Sequence, residues 1–487
     1  MKKIQYLLTA CGLLLAGCSE TPGGDAAQPA PAPVKYVSLR ISAAAGTRAG
    51  LDGDLRVKFR PGDMIDINGR PYEVFLLDDG SAAVPEVPEA DRYEAVFPSA
   101  YNFLQQTREG ANFKLPLAQF YAGPGTFGHN AMPMYGEATG IDGDKGYVNL
   151  TMRTLCGVLK LTLKGSATIN TILVEDRSGA PVSGYATLGT DGEGNKILVP
   201  GTASSARAYR LVMNCGGAGE GVALNESGTD FYIVMPAREY ASGLKIRITD
   251  RSHRAMTVDS PTPRTIRRNV VTETPAIEYA PDADLVFAEY FDACTWGGDY
   301  VGGTKGYSPS QTEKQQADYS NSWNIAPPSA VNNVTADYIR NRNLYDWTYL
   351  YRCAEFQGCL RVGSPTLGRG KIHTPKLANI PAGDTRRAQI TFRICYVEGA
   401  NMTDSFQSWI DKGTYQEVCI NGEPMTFTPA TSAYIPNAAI GTDGWAEVRL
   451  IAGGVSKDTS FNFFERTGTA ATTSYYFVDD IEVRLLD

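Results

Sequence analysis

The chain has 487 residues and a formal net charge of −8, and this acidic balance argues against nucleic acid or an anionic membrane surface as a partner. Its three histidines, His129, His253 and His373, each stand alone in a polar or loop-like context, which leaves little for histidine-based acid–base or metal chemistry. A chain of this length suggests about three domains.

The amino terminus has the layout of a secretion signal. Two lysines precede an apolar stretch over residues 6–16, which is too short to span a bilayer, since a span needs about 20 apolar residues. Residues 15–18 read Leu-Ala-Gly-Cys and resemble the lipobox of bacterial lipoproteins. The resemblance implies removal of residues 1–17 and lipidation of Cys18, whose acyl chains would anchor the protein. The alternative is an ordinary secretory signal with an incidental cysteine.

Residues 18–35 are predicted to form a flexible tether, because small, polar and proline residues cannot bury enough apolar surface to fold. Glu20 and Asp25 follow the cysteine closely and resemble the surface-export signals of Bacteroidota lipoproteins. This resemblance implies a lipid anchor in the cell outer membrane of a Gram-negative bacterium, with the chain facing the cell exterior. No later stretch approaches transmembrane length, so the lipid is expected to be the sole membrane attachment.

Short runs of alternating apolar and polar residues dominate the rest of the chain. Examples are residues 55–59, 157–163 and 244–248, each of which places apolar side chains on one face of a strand. Cys156 and Cys395 lie inside such runs, where a small buried thiol is expected. Fifty glycines and twenty-eight prolines punctuate the runs, and no long amphipathic helix is evident. The pattern predicts an all-β protein built from sandwiches or jelly rolls.

Seven motifs follow one another in the first half. They are Thr47-Arg48, Phe59-Arg60-Pro61-Gly62-Asp63-Met64-Ile65, Tyr93-Glu94-Ala95-Val96-Phe97-Pro98, Met132-Pro133-Met134, the run 153–161, Val182-Ser183-Gly184 and the run 231–237. In this order they resemble the fimbrillin-like family of Bacteroidales lipoproteins over residues 36–280. The resemblance implies two transthyretin-like β-sandwiches, residues 36–165 and 166–280, which divide near Gly165.

The family resemblance also gives Arg48 a candidate role. In polymerising relatives an arginine-specific protease cuts the early segment, and a strand of the next subunit fills the groove that the cut exposes. Arg48 lies where such a cut would fall, although an exposed loop arginine explains it equally well. The family usually ends soon after its second sandwich, whereas about 200 residues follow here, so the usual route of polymerisation is in doubt.

The second half differs in composition, since all five tryptophans lie beyond residue 290. The stretch 275–284, rich in proline, alanine and aspartate, is predicted to be a linker that separates two cores. Residues 286–292 and 475–483 open and close the remaining segment with apolar runs. Their order resembles jelly-roll modules of the carbohydrate-binding and galactose-binding-like type. That resemblance implies a jelly-roll β-sandwich over residues 285–487 whose first and last strands pair.

In such modules a structural calcium often bridges the first and last strands. Glu289, Asp292 and Asp480 are the candidate ligands, because calcium binds several hard carboxylate and carbonyl oxygens. The alternative is that the pair Asp479 and Asp480 simply turns outward at a strand end. No cofactor is otherwise expected.

Trp296, Trp323 and Trp347 are candidate glycan contacts, together with Tyr349 or Tyr351. Flat aromatic faces pack on pyranose rings, and these residues lie in sequence rich in glycine and asparagine. A buried position in the core is the competing explanation for each of them.

These features predict a non-catalytic adhesin or fimbria-associated subunit whose partners are fimbrial subunits or host and dietary glycans. The alternative is a surface glycan-binding lipoprotein of a polysaccharide-uptake system. A jelly-roll glycoside hydrolase ranks below both, because carboxylates are plentiful but nothing pairs two of them at the roughly 5–10 Å that this chemistry uses. No Gly-x-Ser-x-Gly, His-Glu-x-x-His or phosphate-loop motif appears, so the protein is not predicted to be an enzyme.

Overall fold

A computed structural model describes most of the chain outside the leader. The described residues are 35–43, 59–79, 81–99, 112–115, 117–129, 131–140, 147–201, 210–215, 221–294, 344, 346–347, 349–351, 353–356, 358–363, 371–396, 416–420, 423–424, 446–465 and 475–486. Every regular element in these ranges is a β-strand. The predicted all-β sandwich class is thus confirmed.

Ten strands come from the first 154 residues. They are β1 (Tyr36–Ala43), β2 (Met64–Ile67), β3 (Arg70–Glu73), β4 (Phe75–Leu76), β5 (Ala82–Pro88), β6 (Arg92–Phe97), β7 (Asn112–Leu115), β8 (Ala118–Phe120), β9 (Met134–Thr139) and β10 (Tyr147–Thr154). Eight of them pair in the order β3-β2-β6-β9-β10-β1-β5-β4. Because β3 and β4 are consecutive in the chain yet lie at opposite ends of this order, the sheet folds back on itself around one core. We call this unit the first sandwich.

Strand β1 lies inside the first sandwich. It runs parallel to β10 and antiparallel to β5. Val37, Leu39 and Ile41 are buried in the core of the unit, while Arg40 points to the opposite face, as expected for a strand with a period of two.

Thirteen strands follow. They are β11 (Cys156–Lys164), β12 (Thr168–Asp176), β13 (Gly184–Thr190), β14 (Lys196–Pro200), β15 (Arg210–Asn214), β16 (Val222–Ala223), β17 (Thr229–Pro236), β18 (Arg238–Tyr240), β19 (Leu244–Asp250), β20 (Ala255–Ser260), β21 (Arg264–Ile266), β22 (Val271–Glu273) and β23 (Ile277–Glu278). One sheet has the order β17-β11-β22, with β23 also beside β11, and another has the order β20-β19-β12-β15-β8, with β16 also beside β12. Apolar residues of both sheets meet in one core. We call this unit the second sandwich.

The first and second sandwiches share structure. Strands β7 and β8 precede β9 in the chain, yet they pair with β13 and β15 of the second sandwich. A further apolar cluster combines Val96 and Tyr135 of the first sandwich with Val158 and Val234 of the second. The predicted division near Gly165 stays a prediction, but the sheet that holds β10 ends at Thr154 and β11 pairs elsewhere.

Eleven strands form the rest. They are β24 (Leu285–Glu289), β25 (Tyr349–Tyr351), β26 (Cys353–Phe356), β27 (Cys359–Gly363), β28 (Lys371–His373), β29 (Arg386–Tyr396), β30 (Gln416–Ile420), β31 (Glu423–Pro424), β32 (Ala446–Val455), β33 (Phe461–Glu465) and β34 (Tyr475–Leu485). They pair as β26-β27-β34-β29-β32, with β24 also beside β34, and as β25-β28-β33-β30-β31. Residues of both sheets contribute to one core. We call this the C-terminal unit.

The predicted pairing of the first and last strands of this unit is confirmed. Strand β24 runs antiparallel to β34, with Phe287 opposite Val483 and Glu289 opposite Ile481. Phe287, Ile481 and Val483 are all buried in the core. The jelly-roll assignment and the transthyretin-like assignment stay predictions.

Candidate functional site

The first candidate site is the position that β1 occupies. Leu39 lies opposite Val148 of β10 on one side and opposite Val84 of β5 on the other. All three side chains are buried in the core of the first sandwich. A strand that is hydrogen-bonded along both edges does not normally leave its sheet. Strand β1, however, is the first strand that the structure describes, and it directly follows the predicted tether. Arg48, five residues after Ala43, lies outside the described residues.

The second candidate site is the acidic end of β24. Glu289 is buried, with its Oε1 accepting a hydrogen bond from the Phe291 backbone N–H at 2.8 Å. The Nδ1 atom of His253 lies 3.7 Å from Oε2 of Glu289. Burial, the largest cause, and the nearby carboxylates of Asp292 and Asp479 together raise the pKa of Glu289 to about 8, although the Phe291 hydrogen bond acts to lower it. The Glu289 carboxyl group therefore carries its proton at neutral pH.

Asp292 has a different partner. Its two carboxylate oxygens accept hydrogen bonds from Arg247 of β19, with Nε to Oδ2 at 3.0 Å and Nη2 to Oδ1 at 2.6 Å. Asp480 lies 3.5 Å from Nη1 of Arg393. The third carboxylate of the predicted calcium set is thus placed beside a cation of its own. Among the residues that the structure describes, no group of three or more His, Cys, Asp or Glu side chains is arranged to hold a metal ion. The calcium site stays a prediction, which melting with calcium and with a chelator would test.

Arg247 also connects the acidic end to aromatic and polar neighbours. Its guanidinium carbon lies 3.8 Å from the ring centroid of Tyr290, a distance at which a cation is attracted to the ring face. The Tyr290 hydroxyl donates to Glu482 Oε1 at 2.7 Å, and Nη1 of Arg210 lies 3.6 Å from Asp292. We call Arg210, Arg247, Tyr290, Asp292 and Glu482 the junction cluster.

The junction cluster was not predicted from the sequence. Arg247 occupies a polar position in the alternating run of β19, as Lys245 does. Lys245 is exposed as the pattern predicts, whereas the Arg247 side chain is only 12% exposed. Periodicity marks the face on which a residue lies but does not tell whether solvent or another unit covers that face.

Among the three candidate glycan contacts, Trp347 lies in the described part of the chain. Its side chain is buried in the core of the C-terminal unit, with ring centroids 5.7 Å from Phe291 and 6.4 Å from Phe287. A buried indole has no free face for a sugar ring, so Trp347 packs as a core residue. Trp296 and Trp323 lie outside the described residues.

Cys18, the predicted lipidation site, also lies outside the described residues. Within the ranges that the structure covers, no helix is both long and apolar enough to cross a membrane. Cys156 is buried, as its apolar surroundings predict, and burial raises the pKa of its thiol. Cys215 shares this environment, so both thiols are poor nucleophiles.

Comparisons with known proteins give distant likenesses. No family model and no curated protein matches the chain. A candidate cell-adhesion protein of Bacteroides uniformis is 12% identical, with a TM-score of 0.30 over 50% of this chain and 94% of that one. A fimbrial protein of Bacteroides ovatus is 11% identical, with a TM-score of 0.24 over 78% and 69%. The cleaved K3 adhesin domain of Lys-gingipain from Porphyromonas gingivalis is 14% identical, with a TM-score of 0.16 over 27% and 79%. None of these TM-scores reaches 0.5, and similarity at this level identifies neither the family nor the function of the chain.

Proposed function

We propose that this protein is a non-catalytic lipoprotein of the cell outer membrane that faces the exterior and acts as an adhesin or a fimbria-associated subunit. The observation that carries the proposal is the position of β1. The strand nearest the predicted lipid anchor is inserted between two others rather than added at an edge. Cleavage at Arg48 would separate it covalently from everything that follows.

Loss of β1 would leave a groove with the features that strand addition requires. The groove would expose the backbone hydrogen-bonding groups of β5 and β10 along two facing edges. Its sides would carry the apolar residues Val84 of β5 and Val148 and Leu150 of β10, which now share one core cluster with β1. A strand from another subunit that alternates apolar and polar residues would fit this groove by β-augmentation.

The last strand of the chain favours a role that accepts a strand over one that donates its own. Strand β34 pairs with β29 on one side and with β27 and β24 on the other. Val478, Ile481 and Val483 of β34 are fully buried. Releasing β34 to another subunit would therefore dismantle the C-terminal unit. The pairing of β34 on both sides thus argues against β34 as a strand donated to another subunit.

The groove is tested by removing β1. A chain that begins at Ala49 is expected to melt at a lower temperature than the full chain and to recover when a peptide of residues 36–45 is added. Ligand at 100 times its dissociation constant stabilises the folded state by about 2.7 kcal/mol, which differential scanning fluorimetry detects. The control is the same peptide with Ile41→Asp, whose charge would face the core. Recovery with both peptides, or with neither, would contradict the proposed groove.

Processing is a separate prediction. An arginine-specific protease is expected to cut the folded chain after Arg48, and Arg48→Gln is expected to leave the fragment that contains β1 attached. Mass spectrometry of the two digests locates the cut. A digest in which the Arg48→Gln variant yields the same new amino terminus would rule out Arg48 as the site.

The lipid anchor predicts a change in fractionation. Cys18→Ser is expected to block lipidation, because the thiol that carries the diacylglycerol is lost, and to leave the protein unprocessed or released from the membrane. Immunoblots of outer-membrane and soluble fractions measure this, with Cys11→Ser as the matched control. Outer-membrane recovery of the Cys18→Ser variant at the level of the control would show that the lipoprotein assignment is wrong.

The alternative function is glycan binding for a polysaccharide-uptake system. It draws on the aromatic residues of the second half, of which Trp296 and Trp323 remain candidates now that Trp347 packs in the core. A glycan array with the full chain separates the two functions. Tight binding to one polysaccharide that is lost in Trp296→Ala or Trp323→Ala would favour uptake, and silence across the array would favour the fimbrial role.

A further inference from the structure

The stretch that the sequence predicts to be a linker is held from both sides. Arg254 of the second sandwich donates from Nη2 to the Pro281 carbonyl oxygen at 3.1 Å. Arg484 of the C-terminal unit lies 3.1 Å from Oδ2 of Asp282. A flexible linker between independent domains makes few such contacts. Residues 281–284 instead form part of a fixed connection.

Backbone hydrogen bonds also cross this connection. The Ala288 backbone N–H of β24 donates to the His253 carbonyl oxygen at 2.7 Å. The Asn379 side chain donates from Nδ2 to the Ser252 carbonyl at 2.8 Å and to the Val286 carbonyl at 2.9 Å. One amide group of the C-terminal unit thus binds main-chain oxygens in both units.

The apolar contacts at this place are shared as well. Ala255 of the second sandwich packs with Leu285, Ala288 and Tyr290 of the C-terminal unit in one buried cluster. His253 stacks on Phe287, with ring centroids 5.2 Å apart. Separating the units would expose this apolar surface, which costs free energy in proportion to its area.

The junction cluster adds an ion pair that is largely shielded from solvent. The Asp292 and Arg247 side chains are 4% and 12% exposed, and the carboxylate accepts hydrogen bonds from two guanidinium nitrogens. Removing one partner of such a pair is strongly destabilising, because the other charge then stays buried without compensation. The Arg247 guanidinium belongs to β19 and the Asp292 carboxylate follows β24, so the pair is complete only while both units are folded and docked.

We infer that the second sandwich and the C-terminal unit unfold as one cooperative unit, and that the Arg247–Asp292 ion pair couples them. The inference does not depend on the proposed function. The coupling would also affect how the protein responds to force. A pulling force on the C-terminal unit would be transmitted to the second sandwich through the junction cluster rather than through a flexible linker.

Hydrogen exchange on the full chain tests the coupling, because the slowest amides report the opening free energy of the unit to which they belong. In the wild-type chain, the opening equilibrium constants of the protected amides in β17 and in β34 are expected to agree to within about threefold. The Arg247→Ala/Asp292→Ala double variant removes both charges of the pair, and Arg210 keeps Glu175 as a partner, with 3.2 Å between Nε and Oε1. In this variant, amides of β34 are expected to exchange at least about tenfold faster than those of β17.

The second sandwich contains a matched control pair. Arg238 lies 2.8 Å from Asp176 and its guanidinium carbon is 4.6 Å from the Tyr240 ring centroid, an arrangement like that of Arg247 but within one unit. The Arg238→Ala/Asp176→Ala variant is expected to speed exchange in β17 and β34 together and to keep their ratio. Unlinked exchange in the wild-type chain, or an unchanged ratio in the junction variant, would overturn the inference. The wild-type measurement tests whether the two units open together even where a variant fails to fold.

Discussion

Deletion of residues 475–487 is expected to unfold the C-terminal unit while the first sandwich keeps its structure. The deletion removes β34, which holds β29 on one side and β24 and β27 on the other. It also removes the buried side chains of Phe477, Val478, Ile481 and Val483. At about 1.5–3 kcal/mol for each buried side chain, this loss is comparable with the whole stability of a domain, about 5–15 kcal/mol.

Calorimetry and limited proteolysis measure this effect. The truncated chain should lose the part of the unfolding enthalpy that belongs to the C-terminal unit, and protease should cut within residues 285–465. A chain that lacks only Leu486 and Asp487 is the control, because these residues follow β34. A truncated chain with the full enthalpy of the control would show that β34 is dispensable and would refute its central place in the sheet.

The same deletion bears on how the units are joined. A flexible linker near residue 281 predicts that the second sandwich keeps its melting temperature after the deletion. The contacts between β19 and the residues that follow β24 predict that it melts lower, because Asp292 and Tyr290 no longer cover Arg247. The first sandwich is expected to be least affected. Its residues precede the second sandwich in the chain, and its core contains no residue of the C-terminal unit.

Local pattern predicted two of the three named runs as strands with a buried face, 157–163 in β11 and 244–248 in β19, whereas the run 55–59 lies, apart from Phe59, outside the described residues. The run at 157–163 became β11, with Leu159, Leu161 and Leu163 buried and the intervening positions partly exposed. The pairing of the first and last strands of the C-terminal unit came from the resemblance to jelly-roll modules, which cover their sheet edges by bringing their ends together. Only the first of these predictions depends on properties that a single strand carries in its own sequence.

Other features depend on which surfaces meet, and no local pattern encodes this. Strands β7 and β8 fall within the predicted first sandwich but pair with strands of the second, because pairing partners are chosen across the chain. Trp347 lies in sequence rich in glycine and asparagine, which predicts a loop position, yet Phe287 and Phe291 pack against its ring. Arg247 is largely covered for the same reason, since residues of a neighbouring unit replace most of the solvent over its face of β19.

Glu289 gives the second large effect, which is a dependence of stability on pH. The unperturbed carboxyl group has a pKa of 4.5, and burial raises the pKa in the folded state to about 8. Between these two values the folded chain holds a proton that the unfolded chain has released. The free energy of unfolding therefore falls as pH rises through this window, by about 1.4 kcal/mol for each pH unit, and the contribution is fully favourable only below the unfolded pKa.

Replacing Glu289 by Gln is expected to remove this dependence. The amide keeps the shape of the protonated carboxyl group, and its oxygen can still accept the hydrogen bond that the Phe291 backbone N–H now donates to Glu289. The variant should match the wild-type chain near pH 4. It should be more stable at pH 8 by a few kcal/mol, on the order of the burial cost that the ionised group imposes.

The measurement is the melting temperature of the transition that includes the C-terminal unit, at pH 4, 6 and 8, in a chelator so that bound calcium cannot offset the carboxylate charge. The difference between Glu289→Gln and the wild-type chain isolates this group from all others that titrate. Glu289→Ala is the control, because it also lacks a titratable group but leaves a cavity. The Ala variant should melt at a lower temperature than the Gln variant at every pH, and the difference between their melting temperatures should not change with pH. Parallel curves for the wild-type chain and the Gln variant would show that Glu289 is ionised in the folded state, and a Gln variant that melts lower at pH 8 would show that its charge stabilises the junction.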